Sequence, residues 1–376
     1  MSAERAAPRI LGRARAGLGR VSPDIAVHGE DDSMSFLHRL PGRAALALAL
    51  AVSGGAGANA FTACQVTDTG GIDDNSFNQT AWKGVEDAQE ALGIDGRFLE
   101  SQAETDYEAN INSLLGGQCD VIFTIGFLLG DATKAAAEAN PGQKFSIVDF
   151  AYDPPIANVV GQVYATDQAA FLAGYAAAGM SKTGILGTFG GINIPPVTIF
   201  MDGFVAGADY YNARKGTDVT VLGWDPAARE GLFTNNFDSL DDGRAFAQNL
   251  YDEGADIVLP VAGPVGLGSA ALADELGPDA LKIIGVDTDF YYSDPEKGHV
   301  YLTSIEKRMD ATVYQVIESV MNDSFEGGVI VGTLENGGVG IAPFHDFEDV
   351  VPAELKAELD VIRAGIIDGS IDVSPR

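Results

Sequence analysis

The sequence predicts two α/β lobes, each built on a parallel sheet with helices on both faces. Three observations carry this expectation. From residue 61 onward, short apolar runs rich in β-branched residues alternate with segments whose apolar residues recur at helical spacing. The alternation continues for about 100 residues and then begins again, giving two units of ordinary domain size. With 376 residues, 46% of them apolar, and 46 glycines, the chain is long enough and globular enough for two cores.

In the first unit, residues 61–66, 121–125, 145–148 and 159–163 read as strands bounded by turn signals. Residues 80–92, 106–115 and 131–140 lie between them with helical periodicity. An alanine-rich helix over 168–180 leads to a second series. It comprises strand 185–190, helix 197–211, strand 218–222, helix 241–253, strand 257–261, helix 268–276 and strand 282–286. The tail holds a helix over 310–321, a glycine-rich segment over 327–340 and a final helix over 352–364. No long Pro/Ser linker separates the units, so the lobes are expected to be joined by extended crossings. The expected division is a leader over 1–60, an N-terminal lobe of 61–164 with 308–330, and a C-terminal lobe of 165–307 with 331–376.

The leader stands apart in charge and pattern. After an Arg-rich start comes the basic segment from Met34 to Arg43, then apolar residues from Ala44 to Val52, then small residues ending at Ala60. That order is the one an export signal uses, and the apolar run is too short to span a membrane. Met34 can serve as the start in place of Met1, because the first 33 residues add nothing to the signal. Beyond residue 60 the chain carries 16 basic against 49 acidic residues, a net charge of −33. Such a surface repels nucleic acid and anionic lipid, which excludes polyanionic partners.

Export changes how the two cysteines read. Phe61-Thr62-Ala63-Cys64 has the outline of a lipoprotein box, although Phe stands where Leu is usual. A lipid on Cys64 would pin the first core strand to the membrane without a spacer. Cleavage after Ala60 and a disulfide between Cys64 and Cys119 are expected instead. Both begin strand-like runs that neighbour each other in a sheet of order 2-1-3, and exported proteins meet oxidising conditions. An anchored protein remains the alternative.

Chemistry concentrates at the strand ends. The densest stretch runs from Asp68 to Gln79, where acids, amides and Phe77 fill the turn between the first strand and the first helix. Gly70 and Gly71 permit a tight turn, and Ser76 is the expected N-cap. Polar groups at the carboxyl ends of strands in an open α/β sheet face the binding crevice. Further strand-end groups are Gly126-Phe127, Asp149-Phe150, Gly190 to Asn193, Asn235 to Asp238, Val261 to Pro264, Gly285 to Asp289, and Thr303 to Lys307.

Taken in order, these motifs resemble the basic-membrane-protein family of ABC-importer solute-binding lipoproteins, which includes the purine nucleoside receptor. The matching residues are the run from Asp68 to Asn78, Phe127, Gly190-Gly191, Gly203-Phe204, Gly254-Ala255-Asp256, Ala262-Gly263, Gly285-Val286-Asp287 and Ser304 to Lys307. The likeness covers nearly everything from Cys64 to Ile341. It implies the two-lobed periplasmic-binding-protein type I fold with three crossings between lobes. It also implies capture of inosine, guanosine or adenosine for an ABC permease, with no cofactor and no catalysis. The expected protein is an exported monomer, periplasmic or on the outer face of the cytoplasmic membrane.

A purine nucleoside offers a flat base and vicinal ribose hydroxyls. Phe77 and Phe237, from opposite lobes, are the candidates for stacking on the base, with Phe127, Phe200 and Trp224 in reserve. An ionised Asp accepts hydrogen bonds from two donors, so Asp287 suits the ribose hydroxyls, and Asp68 and Asp149 suit base N–H groups or the sugar. Lys307 would donate to ligand oxygens, and Gly263 would admit the ligand close to the backbone. Asn78 is expected at the ligand, with capping of the first helix, shared with Asp74, as its other role.

Two other readings compete with this one. The same fold could hold a sugar or another small solute. A nucleoside hydrolase would need a calcium-binding aspartate cluster at the first strand, but Val66 replaces the leading aspartate and one extra residue precedes Asp73-Asp74. After residue 60 only His299 and His345 remain, neither beside a nucleophile motif, and zinc-type spacing and a G-x-G-x-x-G fingerprint are missing.

Overall fold

A computed structural model describes residues 60–374 apart from residue 117. The leader and export signal expected over 1–60 fall, except for Ala60, outside the described residues. Among the described residues no helix is long and apolar enough to cross a membrane.

The first series is β1 (Thr62–Val66), α1 (Phe77–Leu92), β2 (Asp95–Leu99), α2 (Tyr107–Leu114), β3 (Val121–Ile125), α3 (Gly130–Ala139), β4 (Lys144–Val148) and β5 (Val159–Tyr164). Strands β1 and β3 are buried along their whole length, as central parallel strands must be when helices cover both faces. Their side chains alternate between two cores. Ala63, Val121, Phe123 and Ile125 meet α1 residues such as Ala81 and Val85, whereas Cys64, Val66 and Ile122 meet Tyr107 and Ile111 of α2. Cys64 and Cys119 are joined by a disulfide with Cα atoms 5.8 Å apart, tying β1 to the start of β3.

The second series opens with α4 (Thr166–Met180), β6 (Ile185–Gly190), α5 (Pro195–Lys215), β7 (Thr220–Leu222) and the short ribbon β8 (Trp224–Asp225) with β9 (Glu230–Gly231). It continues through α6 (Leu240–Asp252), β10 (Ile257–Val261), α7 (Val265–Leu276), β11 (Lys282–Asp287), α8 (Phe290–Ser293) and β12 (Tyr301–Lys307). Helices α4 and α5 pack backbone to backbone. A Cβ on Gly174 would lie 2.1 Å from the Phe204 carbonyl oxygen, and one on Gly207 2.0 Å from that of Phe171. Only glycine permits that approach.

The chain then returns. Helix α9 (Met309–Met321) packs on α1, β13 (Gly328–Gly332) joins β5, β14 (Val339–Ile341) joins β12, and α10 (Ala353–Ile367) packs on α4. The two sheets therefore run β13-β5-β4-β3-β1-β2 and β14-β12-β11-β10-β6-β7, all parallel except β14. The chain passes between them three times, after β5, after β12 and between β13 and β14.

Several elements differ from the sequence expectation. The glycine-rich segment 327–340, in which no strand was read from the sequence, supplies the edge strands β13 and β14. The range of strand β2 was not read from the sequence; as an edge strand it needs no apolar alternation. Helix α5 begins at Pro195, earlier than the apolar pattern indicates, since Pro is favoured in a first helical turn whose N–H needs no partner.

Candidate functional site

The carboxyl ends of both sheets face one cavity with about 600 Å³ of empty space, counted out to the solvent at its mouth. Asp68, Phe77, Asn78, Asp149, Phe237, Gly263, Asp287 and Lys307 all line it, together with Asp74, Phe127 and Phe200. Residues from six separate strand ends thus meet at one place.

The β1–α1 turn forms the most ordered wall. Asn78 donates both amide hydrogens, to Asp68 Oδ1 at 2.7 Å and to Asp74 Oδ2 at 3.1 Å, and its Oδ1 accepts the Asp68 N–H at 3.2 Å. The Asn78 amide is therefore committed to holding the two acids. Asp68 Oδ1 also accepts the Gly70 N–H at 2.9 Å, so the remaining oxygen, Oδ2, is the one at liberty for a ligand. The helix start is capped by Asp74, whose carboxylate accepts from the backbone N–H groups of Ser76, Asn78 and Gln79 at 2.8–3.1 Å. This corrects the expectation that Ser76 caps α1, since its side chain makes no cap hydrogen bond. A carboxylate two residues upstream offers two acceptors to the helix end, where a hydroxyl offers a weaker one. Burial pushes the Asp74 carboxyl up to about 7, against the pull of those three N–H donors. Burial likewise pushes Asp68 up, opposed by Asn78.

The opposite rim holds the one basic side chain of the wall. Lys307 Nζ lies 2.6 Å from Asp149 Oδ2 and 3.6 Å from Asp287 Oδ1 and is only 3% exposed. It also sits 4.9 Å from the Phe77 ring centre, 5.3 Å from Phe200 and 5.6 Å from Tyr164. Burial alone would weaken its basicity, but the two carboxylates outweigh this and raise it, so Lys307 stays cationic. Burial pushes Asp149 up while the Lys307 ammonium opposes that shift. Asp149 and Asp287 both have positive φ, 64° and 71°, where the chain turns off β4 and β11. Asp tolerates that backbone because its short side chain can hydrogen-bond locally.

Comparison with known proteins bears on what this cavity belongs to. Residues 61–374 match the family described as ABC transporter substrate-binding protein, PnrA-like. The chain belongs to this family. It is 33% identical to the "ABC transporter nucleoside-binding protein BmpA" of Lactococcus lactis, over 82% of this chain and 87% of that protein. It is 33% identical to "Basic membrane protein A" of Borreliella burgdorferi, over 81% and 85%. Among solved structures, an ABC transporter solute-binding protein from Aeropyrum pernix K1 superposes with a TM-score of 0.75 at 26% identity, covering 84% of this chain and 94% of that one. The fold is accordingly the type I periplasmic-binding fold.

Within this substrate-binding protein, further residues complete the cavity. Ala262 and Pro264, from the strand end flagged in the sequence, also line it, as do Ile194, Pro196 and Val197 at the start of α5 and Leu128, which were not singled out from the sequence. The β6–α5 connection was flagged as a strand end, but only up to Asn193; the paired prolines that open α5 were the signal that carries the wall four residues further. Phe237 is accommodated by Gly191, where a Cβ would come within 2.2 Å of its ring. Trp224, a reserve candidate, is outside the cavity; its Nε1 donates to Asp202 at 2.8 Å and Arg229 covers its ring. Ser239 caps α6 by accepting the Asp242 N–H, and Asn236 braces the turn before it, donating to the Asp242 carboxylate and accepting the N–H groups of Asp238 and Ser239.

Proposed function

We propose that this substrate-binding protein captures purine nucleosides, namely inosine, guanosine and adenosine, outside the cytoplasmic membrane and presents them unchanged to an ABC permease. The observation that carries this reading is the single cavity in which aromatic faces and acids from both sheets meet around one buried lysine. A nucleoside is neutral, flat at one end and rich in hydroxyls at the other. Phe77 and Phe237 suit the base, Asp287 the vicinal ribose hydroxyls, and Asp68 Oδ2 and Asp149 the remaining donors. Lys307 donates to ligand oxygens and keeps the acids from repelling each other. Gly263, with φ 53° and nothing within 4 Å of a Cβ position, leaves backbone open to the ligand. Asn78 serves as a positioning residue for Asp68 and Asp74. The name of the Lactococcus relative supports the same solute class.

The protein works as a monomer, because both lobes must be presented to the permease. It is released by cleavage after Ala60 and carries no lipid on Cys64, whose sulfur is in the disulfide and whose side chain is fully buried in β1. Calorimetry on the mature chain from Phe61 with a panel of nucleosides, bases and ribose tests the reading. Saturable binding of purine nucleosides is expected, weakened strongly by Phe77→Ala and by Asp287→Ala. Tight binding of ribose with no response to nucleosides defeats the assignment, and release of free base makes the protein a hydrolase.

A further inference from the structure

We propose that Ser76 is a closure latch, a positioning residue that sets solute affinity by joining the two lobes without touching the solute. Because Asp74 takes over the capping of α1, the Ser76 hydroxyl is left free of its expected local role. It donates instead to Asp287 Oδ2 at 3.1 Å, with the Val286 carbonyl oxygen 3.4 Å away, partners more than 200 residues distant on the other sheet. Ser76 is completely buried, and it is not part of the cavity wall.

The consequence is a polar circuit around the cleft. Ser76 on the first lobe holds one oxygen of Asp287 on the second, the other oxygen faces Lys307 at 3.6 Å, and Lys307 returns to Asp149 on the first lobe at 2.6 Å. Opening the lobes breaks the Ser76 contact and lets water reach both groups. Closing them restores it and turns the Asp287 carboxylate to a fixed angle toward the cavity. A contact made only in the closed form raises the closed population, and apparent affinity for every solute rises with it. A group that touches solute acts selectively; a latch acts uniformly.

The inference rests on the nucleoside reading for the choice of solute only, and one arm of its test needs no solute. Ser76→Ala removes a single oxygen. In stopped-flow measurements on the mature protein it should speed dissociation of inosine, guanosine and adenosine by the same factor, about tenfold for one hydrogen bond to a charged group. Association rates should stay as in the wild type. In small-angle scattering of solute-free protein, Ser76→Ala should be more expanded than wild type, whatever the solute proves to be. In an Asp287→Gly background, which suits the positive φ, Ser76→Ala should add no further expansion, because the partner is already gone. An unchanged scattering profile overturns the proposal. So does a loss confined to one nucleoside, or expansion that is additive in the double variant.

Discussion

The two walls of the cavity are built on opposite plans. The first-lobe wall is polar and braced: Asp68, Asp74 and Asn78 hold one another through four side-chain hydrogen bonds to the helix start and the turn, and the turn follows a strand stapled by a disulfide. The second-lobe wall is mostly apolar, with Ile194, Pro196, Val197, Phe200, Phe237 and Val261, and its polar groups are Asp287 and Lys307. A braced polar wall has its geometry before solute arrives. An apolar wall gains when it leaves water, which happens on closure. On the proposed reading, the first lobe offers the solute a preset polar surface and the second adds most of the apolar area that drives closure, with Lys307 as the electrostatic link between them.

The severest way to break this division is to remove the link. Lys307→Met leaves two buried carboxylates facing each other, and urea unfolding should show a loss of about 3–5 kcal/mol, the usual cost of removing one partner of a buried ion pair. If stability is unchanged, the acids are hydrated in solution and the link is not one. A smaller effect sharpens the division itself. Phe77→Ala and Phe237→Ala should each cost about 1–3 kcal/mol of binding, as loss of base stacking does. Phe237→Ala should act on dissociation alone, since its lobe arrives second, whereas Phe77→Ala should slow association as well. Equal effects on both rates in both variants would erase the distinction.

The smallest effect concerns the bracing. The folded-state pKa of Asp74 lies near 7, above the 3.8 of an unfolded carboxyl, so the folded protein holds this proton more tightly. Its contribution to stability is complete below about pH 4 and is lost as pH rises through 7. Between pH 6 and pH 8 the wild type should lose about 1 kcal/mol that Asp74→Asn does not lose, read as the difference between two denaturation series. Parallel series would mean that the three N–H donors keep Asp74 ionised.

The strand-end rule made most of this site legible. Parallel sheets bring carboxyl ends to one edge, so Asp68, Asp149, Gly263, Asp287 and Lys307 could be placed at a crevice from strand-end position together with the family resemblance. Phe237 follows no such strand; it reaches the cavity from the connection between β9 and α6, and its place in the sequence next to polar residues was the only signal. Partners within the site were legible only in part. Capping of α1 by Asp74 was one of the expected roles, but that Asn78 spends its amide on two acids depends on side-chain directions within the β1–α1 turn, and that Ser76 reaches Asp287 depends on packing between segments far apart in sequence. Edge strands β13 and β14 escaped for a related reason: exposed on one side and rich in glycine, they are strands because of what they pair with.

The left-handed backbone at Asp149 and Asp287 limits how the protein can be retuned. Those two positions accept Asn or Gly with little penalty, but Val, Ile or Thr would force the β4 and β11 turns out of shape. Redesign toward an anionic solute therefore has to neutralise these acids as Asn and recruit new positive charge elsewhere, for instance in place of Val197 or Pro264. Directed libraries that randomise both acids freely would spend most of their members on misfolded turns.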